Sequence, residues 1–311
     1  MPMIRAMRML NALEAGTLSG AQLDTLIGAD ASRLGELRVL LRLKGQLNRI
    51  QASNTTLTGL AGSGHAWGAL RDVAPEVLPL LLNSSAAMAA AAVSAPAAAL
   101  IAQDAGLAAS VIGNAVARAA MLGATVGAEA FVASTPAMNA LIASQPSLNL
   151  IFADPAKLAA FKASTALTAS AIPAMTSASS PAGLVSSSTG TLPWQAMDKN
   201  SVGTQLTTTA NTNQWIRYST TGVNRYIHTL RIWAAFSGTT GVKNFRLEYS
   251  IDGTVWNTAF TGVYPLETGT NRSFDVNCAV AAQHWRLFLI DAHGGSVFTL
   301  PEVDMLGFVA P

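Results

Sequence analysis

The sequence predicts an α + β multidomain chain: an N-terminal alanine-rich stalk of short-helix repeats, then an antiparallel β-sandwich. Three observations predict it. A ten-residue pattern, often with proline near its start, recurs between 84 and 176. Strand-like alternation of apolar and polar residues begins near Leu192. Five of the six tryptophans (Trp194, Trp215, Trp233, Trp256 and Trp285) fall in that second part, where alanine thins out.

Composition sets the outer limits. The 311 residues are enough for two or three domains. Half are hydrophobic and 12% charged, but alanine supplies much of the apolar count and buries little area per residue. A net charge of +2 gives no global pull towards nucleic acid or a membrane. The lone cysteine, Cys278, excludes an intrachain disulfide and reads as a small buried filler rather than a reactive thiol. Residues 1–13 alternate Met and Leu with Arg5 and Arg8, without a continuous apolar core or a small-residue cleavage site, so no signal peptide is expected. A bilayer span needs about 20 strongly apolar residues. Residues 86–102 are mostly alanine and are broken by Pro96, so no membrane insertion is expected.

Residues 1–83 read as an N-terminal helical docking region. Leu40, Leu43, Leu47 and Ile50 step by three and four, which places them on one helix face. Arg38, Arg42 and Arg49 lie off that stripe and read, with Glu36, as a solvated face. Gly59 to Gly64 reads as a break, and His65 as part of a flexible turn.

Residues 84–176 form the stalk. Only six charged residues occur between Asn83 and Ser180. Met138, Leu148 and Leu158 fall ten residues apart. Thr135-Pro136, Gln145-Pro146 and Asp154-Pro155 precede them, and Met88 to Ser94 and Pro96 to Asp104 follow the same scheme. Ten is not a heptad multiple, which argues against one long coiled coil. Proline fits the first helical turn, where its missing N–H has no intrahelical partner. Thr135 and Asp154 then stand where N-caps belong. Each decad offers about two helical turns, too few for stability alone in water. The helices must therefore stack on one another or on copies in other chains. The reading is an obligate homo-oligomer, a homotrimer, with a monomeric helical bundle as the alternative. Residues 177–192, rich in Ser, Thr, Gly and Ala, read as a flexible linker.

Residues 193–311 carry strand patterns. Phe245, Leu247 and Tyr249 alternate with Asn244, Arg246 and Glu248. Asp252-Gly253 is a turn signal, and Val255 and Trp256 begin the returning strand. Trp285, Leu287 and Leu289 alternate again, and Val303 and Met305 close the chain.

The run Phe245-Arg246-Leu247-Glu248-Tyr249-Ser250-Ile251-Asp252-Gly253-Thr254-Val255-Trp256 resembles a hairpin of discoidin-like domains, also called F5/8 type C or galactose-binding-like modules. Ala196-Met197-Asp198 before Gln214-Trp215-Ile216, His284-Trp285-Arg286-Leu287, and Pro301-Glu302-Val303 with Leu306-Gly307 agree in order. The resemblance covers about Trp194 to Phe308. The chain departs from the pattern in the first loop, where Gln205 and Leu206 follow Thr204 and a tryptophan is usual. The resemblance implies a jelly roll, carbohydrate or lipid-headgroup binding through loops at one end, and a structural calcium held by Asp198, Thr204 and Glu302. Calcium takes oxygen ligands of these kinds. The residues also allow the plainer assignment, Asp198 capping a turn and Glu302 paired with a cation. Asn271, Arg272 and His293 are the candidate ligand-binding residues, beside the alternative that each is an ordinary loop residue.

The decads behind an N-terminal helical segment resemble stalks of tailed-phage tail fibre and baseplate proteins, on Met138 to Ser144 and Met88 to Ser94. That resemblance implies a virion protein for host attachment. Its partners would be copies of itself, other virion proteins through the N-terminal region, and a host surface glycan. A bacterial carbohydrate-binding surface adhesin, or a structural virion component whose sandwich binds another virion protein, are the alternatives. No Gly-x-Ser-x-Gly elbow, paired-His metal motif or phosphate-cradling Gly-Lys motif occurs, so no enzyme is expected. His228 and His284 read as sheet residues.

Overall fold

A computed structural model describes residues 2–164, 172–233 and 238–309. Residues 165–171 of the expected stalk lie outside the described residues, as do Met1 of the docking region and 234–237 and 310–311 of the expected sandwich. The chain divides into two compact units, Met1–Leu167 and Thr168–Pro311.

The first unit is all helix: α1 (Pro2–Glu14), α2 (Gly20–Ala29), α3 (Ser32–Arg42), α4 (Lys44–Ala52), α5 (Asn54–Ala61), α6 (Gly64–Val73) and α7 (Leu78–Asn83). The repeat follows as α8 (Ser85–Val93), α9 (Ala95–Gln103), α10 (Ala105–Gly113), α11 (Ala115–Gly123), α12 (Thr125–Ala133), α13 (Thr135–Ile142), α14 (Gln145–Phe152) and α15 (Pro155–Ala163). Among the described residues no single helix is long and apolar enough to cross a membrane.

From α7 to α13 one extended residue ends each helix and opens the next. Ser84, Ser94, Asp104 and Asn114 each sit near φ −93 to −91 or −95 and accept, through the side chain, the N–H three residues on. Asp154 caps α15 in the same way, as its position before Pro155 predicts. Such caps contribute about 1 kcal/mol each. At the Pro136 repeat the cap position is Ser134, not Thr135, and Pro136 is the second helical residue. The Ser134 hydroxyl turns instead to the Ala102 carbonyl, 2.6 Å away.

The extended residue swings the chain through a large angle. The helices either side of Ser84, Asp104 and Ala124 are bent by 95°, 102° and 98°. Helices three apart therefore come to lie on one another: α3 on α6, α5 on α8, α6 on α9, α8 on α11, α9 on α12, α10 on α13, α11 on α14 and α12 on α15. This is a solenoid with three helices to the turn. Side chains tie successive turns: Asn114 to Asn83, 31 residues apart, and Lys157 Nζ to the Gly123 carbonyl, 34 apart.

The stacking accounts for the seam. Met88, Ile101, Met121, Phe131, Met138, Leu141, Leu148, Ile151 and Phe161 are fully buried within one chain, against alanines such as Ala91, Ala98 and Ala108. The short helices thus stack on one another within one chain. The solenoid also begins well before residue 84. The predicted single helix through Leu40 and Ile50 is broken at Leu43, which separates α3 from α4 and is 38% exposed. Gly59 lies inside α5, and Ser63 caps α6. His65 is no flexible turn residue. Its ring and backbone N–H, the Gly64 N–H and the Ser63 hydroxyl all converge on the Asp24 carboxylate.

The second unit is an antiparallel β-sandwich. Its strands are β1 (Leu184–Ser187), β2 (Leu206–Thr207), β3 (Thr212–Ser219), β4 (Arg225–Trp233), β5 (Val242–Ser250), β6 (Asn257–Val263), β7 (Asn271–Asp275), β8 (His284–Ala292), β9 (Thr299–Leu300) and β10 (Val303–Val309). One sheet has the order β1-β3-β8-β5-β6, a second β10-β4-β7, and β2 pairs with β9. Alternation assigns the faces. Trp285, Leu287 and Leu289 of β8, Phe245 and Leu247 of β5 and Ile216 and Tyr218 of β3 point inward. They meet Ile227, Leu230, Ile232 and Met305 from the second sheet. The Trp285 indole N–H is satisfied by the Arg225 and Ala282 carbonyls. Cys278 is buried in this core, and burial pushes its thiol pKa up.

Two boundaries differ from the sequence reading. Residues 177–192 are not simply a linker: they contain β1, whose Val185 is 2% exposed. The return of the hairpin starts at Asn257 rather than Val255, because Asp252 accepts the N–H of both Thr254 and Val255 and prolongs the turn.

Candidate functional site

The two ends of the sandwich differ in chemistry. At one end β4 finishes opposite the start of β10, with Ile232 facing Val303, and Trp233 faces Asn271 at the start of β7. The residues proposed for calcium belong here. Glu302 is 1% exposed, and neither carboxylate oxygen completes a hydrogen bond. Burial pushes its pKa up to about 8; Asp198 and Asp304 push the same way, while Lys199 pulls it down. Asp198 also caps its own turn through the Asn200 N–H at 2.8 Å. The Thr204 hydroxyl donates to the Asn200 carbonyl at 3.0 Å. The Lys199 amine lies on Asp304, a pairing that sequence reasoning missed.

Does this arrangement fit calcium? The orphaned, buried carboxylate of Glu302 beside Asp198 is what a missing hard cation would leave. Among the described residues, however, no three His, Cys, Asp or Glu side chains gather closely enough to hold a metal by themselves. Calcium here would rest on Glu302 and Asp198, with backbone and hydroxyl oxygens completing the shell.

The candidate ligand residues share this end but are already engaged. Arg272 pairs with Glu267, its Nε 3.1 Å from Oε2. The His293 ring nitrogen Nε2 lies 2.9 Å from the Tyr264 carbonyl, and the Tyr264 hydroxyl donates to Thr270. Asn271 is exposed at the strand start. The segment from Tyr264 to Arg272 thus gathers the three.

The opposite end holds an open cavity of about 550 Å³. Its walls come from the end of β3, the turn to β4, the first residue of β8 and the approach to β1. Arg217, Ser219, Thr220, Thr221, Arg225 and His284 are its polar lining, and Leu184 and Val223 are apolar. Among the described residues no carboxylate lines it. Ser219 and His284 face each other across the β3–β8 ladder. The Ser219 hydroxyl and His284 Nδ1 are buried without hydrogen-bond partners. Burial lowers the His284 pKa, with the Arg217 charge acting in the same direction, so this imidazole is neutral at pH 7. The Arg225 guanidinium lies over the Tyr218 ring at 5.8 Å.

From this cavity a row of stacked cations and aromatics crosses the outer face of the five-stranded sheet. Arg217 lies over Trp215 at 5.4 Å, Arg286 over Trp256 at 4.0 Å, and Arg246 over Phe288 at 4.6 Å. The buried Glu248 fixes two of them: its carboxylate accepts from Arg246 at 2.8 Å and Arg286 at 2.6 Å. The sequence reading used Trp215, Arg246, Glu248, Trp256 and Arg286 as landmarks of the fold and gave none of them a place in a site. Their only local signal is position, since Trp215, Arg217, His284 and Arg286 occupy the outward phase of two alternating strands.

No family model matches this chain, and no curated protein sequence matches it. The chain is similar to solved structures over its sandwich. One is a family 32 carbohydrate-binding module from Clostridium perfringens in complex with GalNAc-β-1,3-galactose, 16% identical. It covers 40% of this chain and 94% of that one, with a TM-score of 0.35. A second family 32 module from the same organism, in complex with galactose, is 15% identical over 40% and 93% of the two chains, with a TM-score of 0.35. An F5/8 type C domain from Bacteroides fragilis is 12% identical over 44% and 95%, with a TM-score of 0.36.

Proposed function

We propose that this chain is a binding protein whose sandwich takes a saccharide in the cavity lined by Arg217, Ser219, Arg225 and His284. The helical solenoid serves as its spacer. The cavity carries the reading. It has the volume of small-ligand sites and combines apolar walls with a few convergent polar groups, two of them unpartnered. Sugars present an apolar C–H face and a rim of hydroxyls, which match Leu184 and Val223 on one side and Ser219 and His284 on the other. We propose binding without catalysis, since among the described residues the cavity has no carboxylate to act as acid, base or nucleophile. A glycan array probed with the whole chain tests this. Hits that vanish in a Ser219→Leu variant of unchanged melting behaviour are expected; an array without hits sinks the reading.

The setting is part of the same proposal. The order of a helical region, a repeat solenoid and a terminal sandwich supports a role in a phage tail fibre or baseplate for host attachment. There the chain would associate as a trimer. Because the solenoid seam is filled from within one chain, any trimer forms through other surfaces. Light scattering on the purified chain and labelling of intact particles test the two parts. A monomer removes the trimer, and absence from particles removes the virion role.

A further inference from the structure

The cavity at the β3–β4 end is cationic as well as polar. Arg217 and Arg225 both line it, and Arg217 forms no ion pair with an acid among the described residues. The Arg217 Nε is committed to the Ser186 hydroxyl at 3.1 Å, and its terminal nitrogens make none of the described hydrogen bonds. Asp252, whose charge reaches His284, is spent on its own turn, accepting from Ser250, Thr254 and Val255. Ser219, nine-tenths buried, holds a hydroxyl without a partner on the cavity side. A buried donor left unsatisfied costs about 1–3 kcal/mol. An anionic oxygen placed between the guanidinia and this hydroxyl would remove that cost and gain charge-assisted hydrogen bonds.

We infer that the cavity recognises an acidic saccharide, seating its carboxylate between Arg217 and Arg225 with the Ser219 hydroxyl as a further donor. The size of the cavity points the same way. About 550 Å³ is far more than a bare phosphate or carboxylate needs and suits one or two sugar rings. The planar guanidinium suits a carboxylate held through two parallel bonds. Leu184, 47% exposed at the rim, offers a surface for the ring's C–H face. The inference rests on the saccharide reading above and adds the charge.

The test is calorimetric titration of the whole chain with galacturonate, glucuronate and N-acetylneuraminate. Galactose, glucose, acetate and inorganic phosphate serve as comparators. At least one acidic sugar is expected to bind about tenfold or more tighter than its neutral counterpart, and to weaken as salt rises from about 0.05 to about 0.5 M. Arg217→Gln should bring the affinity for the acidic sugar down to that of its neutral counterpart, with a cooperative melting transition showing that the variant is folded. Ser219→Ala, which is smaller and keeps the fold, should weaken the acidic sugar in the same direction. Equal binding of acidic and neutral sugars overturns the charge assignment and leaves the saccharide reading standing. Acetate or phosphate binding as tightly as every acidic sugar overturns the saccharide part. No binding by any probe overturns both.

Discussion

Arg71 Nη1 lies 2.7 Å from Asp104 Oδ2, so a side chain in one solenoid turn grips the residue that starts a helix in the next. The other oxygen, Asp104 Oδ1, accepts the Leu107 N–H at 2.9 Å. One carboxylate therefore opens α10 and joins two turns. Its pKa is held below the usual value of 3.8 by the Leu107 N–H, with Arg71 adding to it against the opposing effect of burial. A carboxylate whose folded pKa is depressed stabilises fully above its unfolded pKa, and that stability fades as pH falls through the folded value. Asp104→Ala should cost about 1–2 kcal/mol in urea unfolding, and Asp104→Asn, which keeps a cap, less than about half of that. Equal losses would mean that the cap contributes nothing.

Gly307 marks the bulge in β10, and a methyl group there would fall 1.7 Å from the Tyr226 carbonyl oxygen. Backbone cannot yield as a flexible side chain can. Gly307→Ala should cost the sandwich about 3 kcal/mol or more. Gly222→Ala, at φ +71 in open space, should cost only about 1 kcal/mol. Tryptophan fluorescence during denaturation distinguishes them, and a silent Gly307→Ala would contradict the strand pairing.

Glu248 is buried between two arginines on the outer sheet face. Glu248→Gln removes the charge that both guanidinia face and should cost about 2 kcal/mol. Arg246→Lys, at a position whose side chain is 36% exposed, should cost under about 1 kcal/mol. If both variants lost the same stability, the pairing would be symmetric and the burial argument wrong.

Calcium should raise the melting temperature of the sandwich if Glu302 holds it, and Glu302→Gln should abolish the rise. In EDTA the sign is set by the raised pKa. A folded pKa of about 8 against an ordinary 4.5 means that the folded state keeps a proton which the unfolded state has lost. Stability then falls as pH rises from about 4.5 to about 8, on the order of a few kcal/mol. Calcium should flatten that slope. A melting temperature indifferent to calcium at pH 8 would remove the metal.

The parts of the fold visible in the sequence are those set by neighbours along the chain. Ser94, Asp104 and Pro155 announce helix starts because caps and proline act locally. Phe245 and Leu247, or Trp285 and Leu287, announce strands because alternation is local too. The stacking of α9 on α12 was hidden, because it depends on how far one extended residue turns the chain. The cavity was hidden for a similar reason. Arg217, Arg225 and His284 come from three strands, and they meet only through the register of Ser219 with His284 and the bridge between Arg225 and Ala282. Glu302 and Asp198 were reached by resemblance. The Lys199 amine beside them had no signal in the spacing.

Three helices to a turn make the solenoid a ruler with fixed marks. Removing one decad would shift every later helix by one side of the coil and move its outward residues to a different flank. Removing three would shorten the rod and leave each surviving side chain on its original flank. Length could thus change in steps of three decads without redesigning the outer surface, whereas a single ten-residue deletion would reorient everything after it.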